Sequence, residues 1–232
     1  FSVPLLGADE RENDRARSDT MIVLTINNDQ KSIKMLSIPR DTYTEIIGRG
    51  TTDKINHAYA FGGATMAMDT VENFLDIPID YYVTINMESF QDIVDAVGGV
   101  TVENDLDFTY DGVHFTKGTL TLSGADALKY SRMRYDDPNG DFGRQNRQRQ
   151  IIQAVIKKGA SLSSLTKYDD ILDALSKNVQ TNLDFSDMNE IQGNYRAATT
   201  TIDQITIDGS GTKIDGIYYY IVPEEEQTRI QG

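Results

Sequence analysis

MIVLTINNDQKSIKMLSIPRD, residues 21–41, holds two β-rich runs, MIVLTI at 21–26 and IKMLSI at 33–38, on either side of the turn-rich NNDQK. Apolar runs flanking an Asn/Asp cluster predict a hairpin. Pro39 stops the second strand and leaves Arg40 and Asp41 on a loop at its carboxyl end. In open α/β sheets that edge is where ligands bind.

Downstream, apolar residues recur at 64, 67, 68, 71, 74 and 75, which predicts a helix face after the Gly62-Gly63 break. YYVTI at 81–85 reads as a strand. Phe90, Ile93, Val94 and Val97 mark a helix closed by Gly98-Gly99, and VTV at 100–102 begins another strand. Short β-like pieces with DG and KG turns fill 105–122. Ser123 is placed to cap a short helix through Ala125, Leu128 and Tyr130. YDDPNGDFG at 135–143 reads as a loop. A longer helix follows from about Gly143, with Asp141 at its N-cap, Ile151, Ile152 and Val155 inward, and Lys157-Lys158-Gly159 as its C-terminal signal. Helical stretches near 167–178 and 186–198 precede strands near 201–207 and 216–222. No repeat or linker interrupts the alternation. The expected fold is α/β, a single domain over residues 1–232 with a mixed central β-sheet flanked by helices.

Composition narrows the chemistry. The 39% hydrophobic and 25% charged fractions are those of an ordinary globular protein, and 232 residues bury a sizeable core. Zero cysteines exclude disulfides, thiolate metal sites and a Cys nucleophile, and only His57 and His114 are present. A bound metal would therefore sit on carboxylates, which favours Mg²⁺ or Mn²⁺. The net charge of −14 and the lack of a helix-turn-helix pattern argue against nucleic acid as a partner. FSVPLLGADE opens without an initiator Met or a signal peptide and reads as the start of a piece cut from a longer protein.

Against that acidity, YSRMRYDDPNGDFGRQNRQRQ at 130–150 gathers five of the twelve arginines: Arg132, Arg134, Arg144, Arg147 and Arg149. Cations at a helix N-terminus are unfavourable unless an anion compensates them. Arg144 and Gln148 share a helix face, and Gln148 can donate two further hydrogen bonds to phosphate oxygens. Alternating Arg and Asp around a glycine-containing loop fits an anion site and an internal salt-bridge network equally. GADERENDRARSDT at 7–20 likewise interleaves Asp9, Asp14 and Asp19 with Arg11, Arg15 and Arg17. It suits a metal bound together with an anion, or else a solvated arm.

Taken with SIPRDTYTEI, DKINHAYAFGG and INMESFQDIVDAVGGV, these stretches resemble the LytR-CpsA-Psr family from about residue 7 to residue 160. The resemblance is to its wall-teichoic-acid ligases of Gram-positive bacilli. It implies an extracytoplasmic enzyme facing the cell wall, anchored in the membrane by an N-terminal helix absent from this sequence. Such enzymes move a glycopolymer from a polyprenyl-pyrophosphate carrier to a peptidoglycan hydroxyl, with Mg²⁺ or Mn²⁺ present, and release polyprenyl phosphate. By motif position, Asp9 and Asp19 would hold the metal. Arg17, Arg40, Lys54, Arg132, Arg134 and Gln148 would grip the pyrophosphate, and Arg40, Arg132, Arg134, Asp141 and Arg144 would serve catalysis.

The chemistry suits those residues. Transfer from a pyrophosphate diester needs positioning and neutralisation of charge, and arginine holds phosphate oxygens bidentately without losing its proton. The attacking group is expected to be the C6 hydroxyl of N-acetylmuramic acid, with Asp141 or Asp41 as its base. The lipid calls for an apolar tunnel, which the faces at 64–75 and 90–97 would line, unless they only pack the core. His57 reads as a hydrogen-bonded structural residue and His114 as a surface one. Arg147 and Arg149 read as solvated or paired with nearby acids, and Arg11 and Arg15 read first as part of a solvated arm, with contact to the phosphates as the alternative. The same residues would also serve a polyprenyl-pyrophosphate phosphatase or a non-catalytic binder of prenyl phosphates or anionic wall polymer.

Overall fold

A computed structural model describes residues 2–9, 17–27, 29–86, 90–161, 173, 179–184, 186, 187 and 201–231. The chain opens with β1 (Ser2–Asp9), β2 (Arg17–Asn27) and β3 (Ser32–Ile38), a continuous antiparallel series. The predicted hairpin is β2–β3, with Met21 opposite Ile38 and Asn27 opposite Ser32. A short hairpin, β4 (Tyr43–Ile46) and β5 (Thr51–Lys54), then leads into α1 (His57–Leu75), β6 (Val83–Asn86) and α2 (Phe90–Ala96). β7 (Val100–Asn104), β8 (Phe108–Tyr110), β9 (Val113–Phe115) and β10 (Gly118–Leu122) precede α3 (Gly124–Arg132) and α4 (Gly140–Ser161). Then come β11 (Val179–Thr181), β12 (Thr201–Ile205), the hairpin β13 (Ser210–Ile214) and β14 (Ile217–Ile221), and α5 (Glu224–Gln231).

Six strands form a mixed sheet in the order β11-β6-β1-β2-β3-β12, with β12 parallel to β3 and Ile202 opposite Ile33. The sheet is flanked by helices, as the alternation predicted. β3 is buried at every position but Lys34, and in β2 Thr20–Val23 and Ile26 are buried, which is why the two read as near-continuous apolar runs rather than alternating ones. Against them pack Ala67, Val71, Phe74 and Leu75 of α1, the predicted helix face. That face lies in the core. Among the described residues no helix is long and apolar enough to cross a membrane.

The expectations near the N-terminus need correction. Residues 7–20 are not only a charged arm before the first strand, because β1 runs to Asp9 and β2 starts at Arg17. Pro4 lies within β1, and a proline that cannot donate to a ladder disguised the strand. Helix α1 begins at His57, seven residues before Ala64, and crosses a kink at Gly62 and Gly63. Gly63 has φ 67° and ψ −157°, a conformation open to glycine, so the Gly-Gly pair bends the helix instead of preceding it. The helices expected at 167–178 and 186–198 lie almost wholly outside the described residues.

The chain forms two compact units, Phe1–Ile85 with Gln180–Gly232, and Asn86–Val179. The second has its own aromatic core, in which the Phe108, Phe115 and Tyr130 ring centroids lie 5.1 to 5.8 Å apart. Tyr130 is 1% exposed and donates to Gln150 Oε1 at 2.8 Å. Burial pushes its hydroxyl up to about 12.

Candidate active site

In the first unit, the turn after β3 presents Arg40 and Asp41. Thr42, fully buried, braces it by donating to the Pro39 carbonyl from both its amide (3.0 Å) and its hydroxyl (2.6 Å). The amides of Ile55, Asn56 and Tyr220 donate to the carbonyls of Thr42, Arg40 and Asp41 at 2.8, 3.2 and 2.8 Å. The turn is thus tied to the β5–α1 junction and to β14. On this frame Lys54 Nζ lies 2.8 Å from Asp41 Oδ1 and 5.8 Å from the Tyr219 ring centroid, while Arg40 Nε lies 3.9 Å from Asp41 Oδ2. Arg40 and Lys54, both expected at the pyrophosphate, are brought together. Asp41, one expected base, already sits between two cations.

Beside Lys54, Asp53 Oδ2 lies 2.9 Å from His57 Nδ1, and Asp53 Oδ1 accepts from the Lys54 amide at 2.7 Å. The Tyr219 hydroxyl donates to the same carboxylate. Burial pushes the Asp53 carboxyl up, but the His57 and Lys54 hydrogen bonds, the His57 charge and the Tyr219 hydroxyl together hold it below the usual range. His57 is hydrogen-bonded, as expected. His114, in the second unit, makes a surface pair with Asp107 at 2.9 Å.

The second unit carries the arginine-rich stretch. Ser123 caps α3 as predicted, accepting from the Asp126 amide at 3.3 Å. Arg132 is the last residue of α3, a favourable place for a cation, and is exposed, as is Arg134 two residues on. The following loop is shorter than predicted. Gly140, at φ 54°, donates to the Asp137 carbonyl at 2.9 Å and starts α4. Asp141 therefore lies inside the first turn and is not the N-cap. From there it meets Arg144 Nη2 at 2.7 Å, Gln145 Nε2 at 3.1 Å and Arg134 Nε at 4.0 Å. Two guanidiniums converge on one carboxylate at a helix N-terminus, where backbone N–H groups add positive partial charge. Gln148 is on the same helix and 6% exposed.

Arg147 and Arg149 are not solvated, which corrects that part of the expectation. Arg147 is 5% exposed. It donates to the Tyr130 and Met133 carbonyls, lies 5.3 Å from the Phe108 centroid and meets Asp137 Oδ2 at 2.5 Å. It is the post around which the α3–α4 loop is wrapped, and it is paired with an acid. Arg149 is 8% exposed, and its Nε and Nη1 are buried with no partner among the described residues. Burial pushes its guanidinium below the usual value.

For the expected metal ligands the structure gives the backbone alone. Asp9 pairs in register with Arg17, two positions before Asp19 on β2, so the three positions share one end of the β1–β2 ribbon. Two carboxylates are hard oxygen donors, a set that fits Mg²⁺ or Mn²⁺.

The LytR_cpsA_psr family profile matches residues 1–232. Over 230 residues the chain is 56% identical to a polyisoprenyl-teichoic acid–peptidoglycan teichoic acid transferase, TagU, of Bacillus licheniformis, covering 99% of this chain and 75% of that protein. The crystal structure of B. subtilis TagU matches it with a TM-score of 0.80 at 51% identity, over 100% of this chain and 93% of that one. A structure of TagT bound to LIIa-WTA matches with a TM-score of 0.83 at 35% identity, over 100% and 87%.

Proposed function

Because the chain belongs to the LytR-CpsA-Psr family, we propose that it transfers wall teichoic acid from a polyprenyl-pyrophosphate carrier to a peptidoglycan hydroxyl and releases polyprenyl phosphate. The observation that carries this reading is the first turn of α4, where Arg134 and Arg144 converge on Asp141. The two guanidiniums outnumber the one carboxylate beside the N–H groups of the helix N-terminus, so the spot carries surplus positive charge that a multiply charged anion would satisfy. Arg40 and Lys54, held around Asp41 in the first unit, make a second cationic pair of the same kind.

In this reading the arginines bind the pyrophosphate and oppose the charge that builds on the leaving phosphate, while Gln148 adds donors without charge. Asp9 and Asp19 would hold Mg²⁺ or Mn²⁺, which when bound supplies further charge neutralisation. In this reading the prenyl chain runs in an apolar tunnel and the domain works at the outer face of the membrane. The acceptor is the C6 hydroxyl of N-acetylmuramic acid.

The test is transfer of labelled polymer from a synthetic lipid-pyrophosphate donor to peptidoglycan oligomers with Mg²⁺ or Mn²⁺. The expected products are a phosphodiester-linked conjugate and polyprenyl monophosphate, and Arg134→Ala should lower the rate roughly 100- to 1000-fold. Free polymer phosphate without conjugate would make the protein a phosphatase. Donor binding without turnover under any metal condition would make it a binder.

A further inference from the structure

We propose that His57 Nε2 accepts the proton of the attacking sugar hydroxyl and that Asp53 is the residue positioning its ring. The inference rests on the transferase reading above and names its base. A carboxylate can only accept, so Asp53 Oδ2 at 2.9 Å from Nδ1 fixes the proton on Nδ1 and leaves the Nε2 lone pair outward. The carboxylate is itself anchored, by the Lys54 amide at 2.7 Å and by the Tyr219 hydroxyl. On the other side, Phe61 stands edge-on to the imidazole at 5.9 Å, and the Arg49 guanidinium lies 3.7 Å from the Phe61 centroid. The ring is therefore held from two directions, and the side chain is 21% exposed.

Position and charge both favour this imidazole over the two carboxylates. It hangs from Asp53, the neighbour of Lys54, one of the pyrophosphate-binding positions. Asp41 is engaged by Lys54 at 2.8 Å and Arg40 at 3.9 Å, and Asp141 by Arg144 at 2.7 Å, so both carboxylates are already committed to cations. The charged and titratable groups around His57 are Asp53, Lys54 and Tyr219, with Tyr43 and Asp215 beside Tyr219, Asp41 beyond Lys54 and Arg49 beyond Phe61.

In the step, the hydroxyl oxygen bonds to the phosphorus carrying the polymer, and the bond from that phosphorus to the bridging oxygen breaks. The bonding pair leaves on polyprenyl phosphate. The hydroxyl proton passes to Nε2 and then to solvent.

The experiment is the transfer assay run from about pH 5 to 9 on the intact protein, His57→Gln and Asp53→Asn, with donor KM and melting temperature followed in parallel. His57→Gln should lose roughly 100- to 10,000-fold in kcat with donor KM unchanged, and the acidic limb of the wild-type profile should vanish. Asp53→Asn keeps the imidazole but weakens the acceptor that holds the Nδ1 proton, so kcat should fall with donor KM unchanged. His57→Gln turning over within about threefold of wild type, or retaining the acidic limb, overturns the inference. Should His57→Gln melt early, Asp53→Asn decides, since an unchanged kcat in that variant overturns the inference as well. Wild-type protein that transfers nothing overturns the transferase reading and this inference together, whereas active wild type with an unaffected His57→Gln overturns the inference alone.

Discussion

Arg147 and Arg149 stand two residues apart on one helix, and their surroundings are opposite. Arg147 is paired with Asp137 and with two carbonyls, whereas Arg149 has two buried nitrogens with no partner among the described residues. An unsatisfied buried donor costs ~1–3 kcal/mol, more when charged. Arg149→Met keeps volume and removes the charge, so it should stabilise the ligand-free protein by ~1–3 kcal/mol. Thermal melting should rise by roughly 2–4 °C for each kcal/mol. A lower melting temperature would show that the guanidinium has a partner in solution. Neither burial was read from the sequence, although a signal existed for one of them. Arg147 lies four residues before Ile151, on the face already assigned inward. The Asp53–His57 pair also has a spacing of four, but it spans the end of β5 and the start of α1, where helical spacing gives no guidance.

Elements were legible where their apolar pattern was strong. The β2–β3 hairpin and the inner face of α1 came directly from it. The pattern failed where burial is slight: β13 is almost wholly exposed and α5 buries no residue, so neither shows a period. It also failed at ends set by a specific contact, as at the start of α4. A Cβ placed on Gly143 would meet Asp137 Oδ2 at 1.8 Å, so this glycine lets the loop carboxylate lie against the helix. On propensity alone Gly143→Ala would stabilise a helix by ~1 kcal/mol, while the clash should cost ~1–3 kcal/mol. The clash is expected to win, giving a lower melting temperature and slower transfer, because Arg134 and Asp141 flank the displaced loop. A rise in melting temperature would mean that the loop yields without cost.

For the whole molecule, alternation of strands and helices revealed the class of fold but not which strands are neighbours. β12 pairs with β3 across more than 160 residues of chain, and β6 lies between β1 and β11. Periodicity is local, so pairings of that range leave no trace in it. Motifs singled out Arg40, Lys54, Arg134 and Arg144, and the structure groups Arg40 with Lys54 around Asp41 and Arg134 with Arg144 around Asp141. The contact between Tyr219 and Asp53 left no such signal, because those residues meet only once the chain is folded.

The way the second unit interrupts the first bears on the order of folding. Tyr82 accepts from the Thr181 hydroxyl, and its amide donates to Asn182, so the start of β6 lies beside the end of β11. The chain thus leaves the sheet and returns to it at the same end. Closing that gap over a disordered chain of about 90 residues costs roughly 4 kcal/mol, and prior folding of the insert shortens the loop to be closed. We therefore expect the insert to fold first, with amides of β7, β10 and α4 protected before those of β6 and β11 in pulsed hydrogen exchange during refolding. Earlier protection of β6 and β11 would reverse that sequence of events. The arginine-rich turn would then be the last feature to form instead of one already waiting when the sheet closes.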